Sequence, residues 1–84
     1  MSTPARSRES LDEFVHTWLD ELENVRKPIE SGLMLIELGL DSLDVVELSR
    51  SLRAAGIAVD PAEIDAYATL TETMALIYER AQID

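Results

Sequence analysis

The chain has 84 residues and no cysteine, so neither a disulfide framework nor a thiolate zinc site can reinforce it. No run of aliphatic residues exceeds four, Leu33 to Ile36 being one. That is far short of the roughly 20 needed to span a bilayer as a helix. The opening Met1-Ser2-Thr3-Pro4-Ala5-Arg6 lacks the apolar stretch of a secretory signal, and the expectation is a soluble, cytoplasmic protein. Basic residues are also scarce, 7 against 17 acidic ones, for a net charge of -10. Nucleic acid and anionic membrane both present phosphates that need Lys and Arg, so neither is an expected partner. The length leaves room for one domain, read as a free-standing monomer. Such a domain buries only about 60–65% of its unfolded surface, so its stability must come from helix packing and capping.

What is present is unevenly placed. Between Lys27 and Arg50 there is no basic residue, while Glu30, Glu37, Asp41, Asp44 and Glu47 all fall there. A field of this sign steers partners with basic patches into contact. The plainer alternative is that the acidity serves solubility.

Apolar spacing is helical throughout, with no alternating strand pattern and no internal repeat. Residues 1–9 are polar and mixed in charge, and a flexible tail is expected there. Ser10 and Glu13 form a capping box, followed by Leu11, Phe14, Val15, Trp18, Leu19, Leu22 and Val25 at three- and four-residue steps. This predicts a first amphipathic helix with Arg26 and Lys27 at its negative end and Pro28 as its stop. Residues 28–41 then form a long connection rich in Ile29, Leu33, Met34, Leu35, Ile36, Leu38 and Leu40, with Gly32 and Gly39 free to turn. A loop this apolar must lie on the helices, and long packed loops are often functional.

A second helix is predicted from Asp41, the cap, to Ala55, with Gly56 as its stop. Val45, Leu48, Ser49, Leu52 and Ala55 form its inward stripe; Leu43 and Val46 lie on another face, continued by Glu47 and Arg50. Asp60-Pro61-Ala62-Glu63 starts a third helix of one or two turns, with Ile64 and Tyr67 pointing inward. Thr69 and Glu72 cap the last helix, whose inner face is Leu70, Thr73, Met74, Ile77 and Ala81. The fold class is all-α: a four-helix bundle of three main helices plus a short third one, with a long packed loop between the first and second.

Gly39-Leu40-Asp41-Ser42-Leu43 is the stretch that carries chemistry. It puts a serine hydroxyl at the first turn of an acid-flanked helix, where free amides and the positive end of the dipole suit a phosphate ester. By spacing alone, Ser42 reads equally as a polar first-turn residue beside an aspartate cap. The wider segment Leu35-Ile-Glu-Leu-Gly-Leu-Asp-Ser-Leu-Asp-Val-Val-Glu-Leu resembles the modification site of acyl carrier proteins. The resemblance runs from Leu11 to Ile77, and Tyr67-Ala68-Thr69-Leu70 is similar to that family's Ile-x-Thr-Val step.

The resemblance implies a 4'-phosphopantetheine arm on Ser42, added by a phosphopantetheinyl transferase, whose thiol carries acyl groups between partner enzymes. It implies that Asp41 helps position a magnesium ion and the serine in the transferase complex. It also implies a docking face of Leu43, Asp44, Val46, Glu47 and Arg50 for acyl-loading and acyl-processing enzymes with basic patches. The chain itself would not be an enzyme, holding no catalytic residue and no metal of its own.

Two features depart from the family's usual pattern. Helix two carries Arg50 and Arg53, with neutral Ala54, where fatty-acid carriers tend to stay acidic. This favours a dedicated carrier for polyketide-type or other specialised biosynthesis, unless both arginines are simply solvated. Peptidyl carriers more often read Gly-Gly-His/Asp-Ser, and Leu40 in the second position tilts toward acyl cargo. An unmodified acidic interaction module that binds through Leu43 and Val46 stays open as an alternative from another class.

His16 is the single histidine and falls off the apolar stripe, so a triad with Ser42 has no support from spacing. Asp41, Asp44 and Glu47 do not match a calcium loop, because Leu43 and Val45 occupy ligand positions. Phe14 and Trp18 read as core residues.

Overall fold

The computed structural model describes residues 7–82. These form α1 (Arg8–Asp20), a one-turn α2 (Leu35–Leu38), α3 (Ser42–Ala54), a 3-10 turn (Pro61–Glu63) and α4 (Leu70–Arg80). No strand occurs among the described residues; Met34 and Thr69 form one isolated antiparallel bridge. The all-α architecture is as the sequence predicts. The expected tail falls mostly on residues 1–6, outside the described residues.

The first helix differs at both ends from its sequence-based bounds. Its N-cap is Ser7, not Ser10: the Ser7 hydroxyl accepts from the Ser10 amide (3.1 Å), and the Ser10 hydroxyl accepts from the Ser7 amide (3.0 Å). Either serine can cap. The Ser7 choice adds a turn and lets the Arg8 guanidinium stack over the Tyr78 ring at 5.1 Å. At the other end α1 stops at Asp20, well before Pro28. The apolar spacing runs on because Leu22 and Val25 face the same core from a non-helical segment, Val25 being buried. Arg26 and Lys27 therefore do not sit at the helix end. Instead Lys27 donates from Nζ to the Leu22 carbonyl (3.0 Å), and the Arg26 amide donates to Leu38 (2.8 Å).

The long connection is sewn down over its length. Amides of Leu35 and Ile36 donate to the carbonyls of Ala68 and Ala66, and amides of Leu70 and Thr71 donate to those of Leu33 and Ser31, each at 3.0 Å. These bonds satisfy backbone groups that would otherwise be orphaned as Leu35, Leu38 and Leu40 go into the core. Around them lie Leu11, Val15, Leu19, Leu48, Leu52, Ile57, Val59, Leu70 and Ile77, nearly all fully buried. Each contributes about 1.5–3 kcal/mol of transfer free energy. Buried Ser49 donates its hydroxyl to the Val59 carbonyl, tying α3 to the segment before the 3-10 turn.

The predicted third helix is a single 3-10 turn capped by Asp60. Ile64 is buried as expected, but Tyr67 is 68% exposed because the chain leaves the turn extended at Ile64. Phe14 is exposed rather than core, and Ala55 is the exposed C-cap of α3 rather than part of its inward stripe. Val45, Leu48, Ser49 and Leu52 form that stripe as predicted.

Candidate functional site

The start of α3 is built by reciprocal capping. The Asp41 carboxylate accepts from the Asp44 amide (2.9 Å), and the Asp44 carboxylate accepts from the Asp41 amide (3.1 Å). Each of these carboxylates thus holds the turn while Ser42, the first helical residue, stays exposed between them. The amides of Ser42 and Leu43 lie too early in α3 to reach an intrahelical carbonyl, and no other described segment bonds them. An exposed hydroxyl beside two unpaired amides, at the positive end of a thirteen-residue helix, fits a phosphate ester.

The turn before it is equally determined. Leu38 is buried, Gly39 takes φ 108°, and Leu40 returns to the core, so the chain reverses between two anchored leucines. A Cβ at Gly39 would come within 2.2 Å of the Asn24 carbonyl oxygen. The backbone of 24–26 therefore lies directly against this turn.

The expected docking residues are largely brought together on one face. Leu43 is 73% exposed and Val46 37%, while Glu47 and Arg50 are exposed and form a loose pair at 3.7 Å. Such an exposed pair adds little stability. Asp44 differs from its neighbours: it is half-buried, and its carboxylate also accepts from Asn24 (2.9 Å). Val46, Arg50 and Arg53 line a shallow depression of about 150 Å³ with Ser49 and Pro61. The basic half of α3 thus abuts the 3-10 turn.

Two groupings were not visible in the sequence. Asn24 joins the site from twenty positions away, with no local pattern to mark it. Asp12, Tyr78 and Arg8 form a cluster on the α1–α4 face, in which the Tyr78 hydroxyl donates to Asp12. Burial, followed by that bond to a carboxylate, pushes the Tyr78 phenol up to about 12. His16 places Nδ1 2.8 Å from the Asp12 carbonyl, one helical turn back, with no tie to Ser42.

Among the described residues no helix is long and apolar enough to cross a membrane. Comparison with curated proteins and with solved structures gives no match. The family model for the phosphopantetheine attachment site matches residues 12–77, which takes in most of α1, the whole of α3 and most of α4. With that match over most of its length, the chain belongs to the phosphopantetheine attachment-site family of carrier domains, which hold a covalent 4'-phosphopantetheine.

Proposed function

We propose that the protein is an acyl carrier and that Ser42 is the residue bearing its 4'-phosphopantetheine arm. The observation that carries this reading is the exposed Ser42 hydroxyl at the first position of α3, beside unpaired amides and held by a closed capping box. In a separate transferase, Ser42 Oγ forms the new P–O bond at the phosphorus attached to pantetheine in coenzyme A. The pyrophosphate bridge breaks, adenosine bisphosphate leaves, and the hydroxyl proton passes to a base on the transferase. Asp41, exposed next to it, has carboxylate lone pairs beyond its cap bond to offer a transferase-bound magnesium ion. When bound, the arm supplies a thiol that holds acyl groups as thioesters.

Leu43 and Val46 supply apolar area for docking, and Glu47 supplies charge for partners with basic patches, setting orientation and association rate. Asp44 contributes to the same field while its oxygen is engaged internally. Arg50 and Arg53 interrupt the acidic face, which supports a carrier dedicated to polyketide-type or other specialised biosynthesis. On this reading it acts in the cytoplasm, as a substrate of enzymes rather than an enzyme.

The test is incubation of unmodified protein with coenzyme A, magnesium and a broad-specificity phosphopantetheinyl transferase, followed by intact and peptide mass analysis. One phosphopantetheine gained on the peptide containing Ser42, and none in Ser42→Ala, is the expected result. No gain, with a known carrier converted alongside, would turn the reading to an unmodified interaction module. Loading assays with acyl and aminoacyl donors then separate acyl from peptidyl cargo.

A further inference from the structure

Asn24 belongs to the segment after α1, yet its side chain reaches the start of α3. Its Nδ2 donates to the Gly39 carbonyl (2.8 Å) and to the Asp44 carboxylate (2.9 Å). Both acceptors lack a hydrogen to give, so the carboxamide can stand only one way round, with both amide hydrogens used. The two bonds straddle Ser42: one holds the turn before it, the other holds Asp44, two residues after it. The Asp44 oxygen that accepts from Asn24 is the same one that accepts from the Asp41 amide. Asn24 thereby fixes the carboxylate that closes the capping box. The Arg26 bond to Leu38 (2.8 Å) and the approach of the Asn24 carbonyl to Gly39 press the same two strips of chain together.

We infer that Asn24 is a positioning residue for the transfer onto Ser42, acting as a two-pronged donor that sets the orientation of the α3 start. The inference rests on the carrier reading only for its functional consequence; the clamp itself is a property of the unmodified chain. Docking area on Leu43, Val46 and Glu47 does not pass through Asn24, so the clamp acts on the chemical step more than on encounter. A small misplacement of a reacting group costs rate steeply, and a loss of about tenfold in kcat follows for a loosened turn.

The experiment compares wild type, Asn24→Ala and Asn24→Asp as unmodified full-length protein, at a temperature where each is folded by circular dichroism. Asn24 is exposed, so these changes leave the core intact; Asn24→Ser replaces Asn24→Ala should the latter not fold. With a broad-specificity transferase, Asn24→Ala is expected to lower kcat about tenfold with KM for the carrier within about twofold. Asn24→Asp keeps the shape but sets a carboxylate against the Gly39 carbonyl and the Asp44 carboxylate, so it should fall further than alanine. A space-filling role predicts the opposite order. In parallel, amide hydrogen exchange at Asp41 and Asp44 should accelerate in Asn24→Ala while Leu48, in the core, keeps its wild-type rate.

Unchanged kcat, or Asn24→Asp milder than Asn24→Ala, overturns the inference while wild type remains a carrier. Unchanged exchange at Asp41 and Asp44 overturns it whether or not wild type is modified. Failure of wild type to gain the group strikes the carrier reading instead, and the exchange data alone then decide on the clamp.

Discussion

Replacing Gly39 by alanine should cost more than its single methyl suggests. Gly39 sits at φ 108°, a conformation that an L-residue enters only with strain of about 1–3 kcal/mol. The added Cβ would also lie 2.2 Å from the Asn24 carbonyl oxygen and 3.3 Å from its carbon. Those are backbone atoms, so no flexible side chain can swing aside, and the 24–26 segment itself must move. Movement breaks the Asn24–Gly39 and Arg26–Leu38 hydrogen bonds, about 1 kcal/mol each.

The sum is a loss of about 3–5 kcal/mol, against a total of about 4–13 kcal/mol expected for a domain of 84 residues. Urea unfolding, followed by circular dichroism and by the fluorescence of the single Trp18, measures it. Gly32→Ala is the internal control. Nothing lies within 4 Å of its Cβ position and its φ is not positive, so it should be neutral or stabilising by up to about 1 kcal/mol. A Gly39→Ala midpoint within about 1 kcal/mol of wild type, at an unchanged slope, would refute the argument from close approach.

Three further outcomes are expected. Leu48→Ala, at a fully buried position of α3, should destabilise by about 2–5 kcal/mol, whereas Leu43→Ala should change stability by no more than about 0.5 kcal/mol while raising KM for the transferase. The Tyr78 phenol should titrate near pH 12 by absorbance, and Asp12→Asn should bring it back toward 10. Because the folded value lies above the unfolded one, this contribution to stability is whole below pH 10 and is lost as pH rises through about 12. The Arg80 guanidinium, helped by the Asp60 amide, holds the Glu63 carboxyl below its usual value. Its contribution is present above the ordinary carboxylate range and lost on acidification, so the stability difference between wild type and Arg80→Gln should shrink from about pH 6 to about pH 3.

The carrier motif shows how much of the site is local. Asp41 caps, Ser42 begins the helix, Asp44 closes the box and Leu43 and Val46 stay out of the core, all within six residues of sequence. Capping and helical periodicity act over three or four positions, so the sequence by itself determined these features. It equally determined the Asp60 and Thr69 caps and the inward faces of α3 and α4, since each is a short-range choice of backbone and burial.

What it left undecided has a common physical origin. Ser7 and Ser10 are both competent caps, and only packing of Arg8 on Tyr78, some seventy residues on, accompanies the earlier start. Leu22 and Val25 keep the helical spacing beyond Asp20, yet Asn24 and Arg26 there bond to Gly39 and Leu38 instead of continuing the helical ladder. Phe14 and Tyr67 are apolar enough for a core that a thin domain has no room to give them. The tertiary structure alone decided which segment meets the Gly39 turn, because hydrogen bonds between positions 24 and 44 carry no periodicity. A carboxamide in a loop becomes a clamp only once the fold has brought a carbonyl and a carboxylate to it.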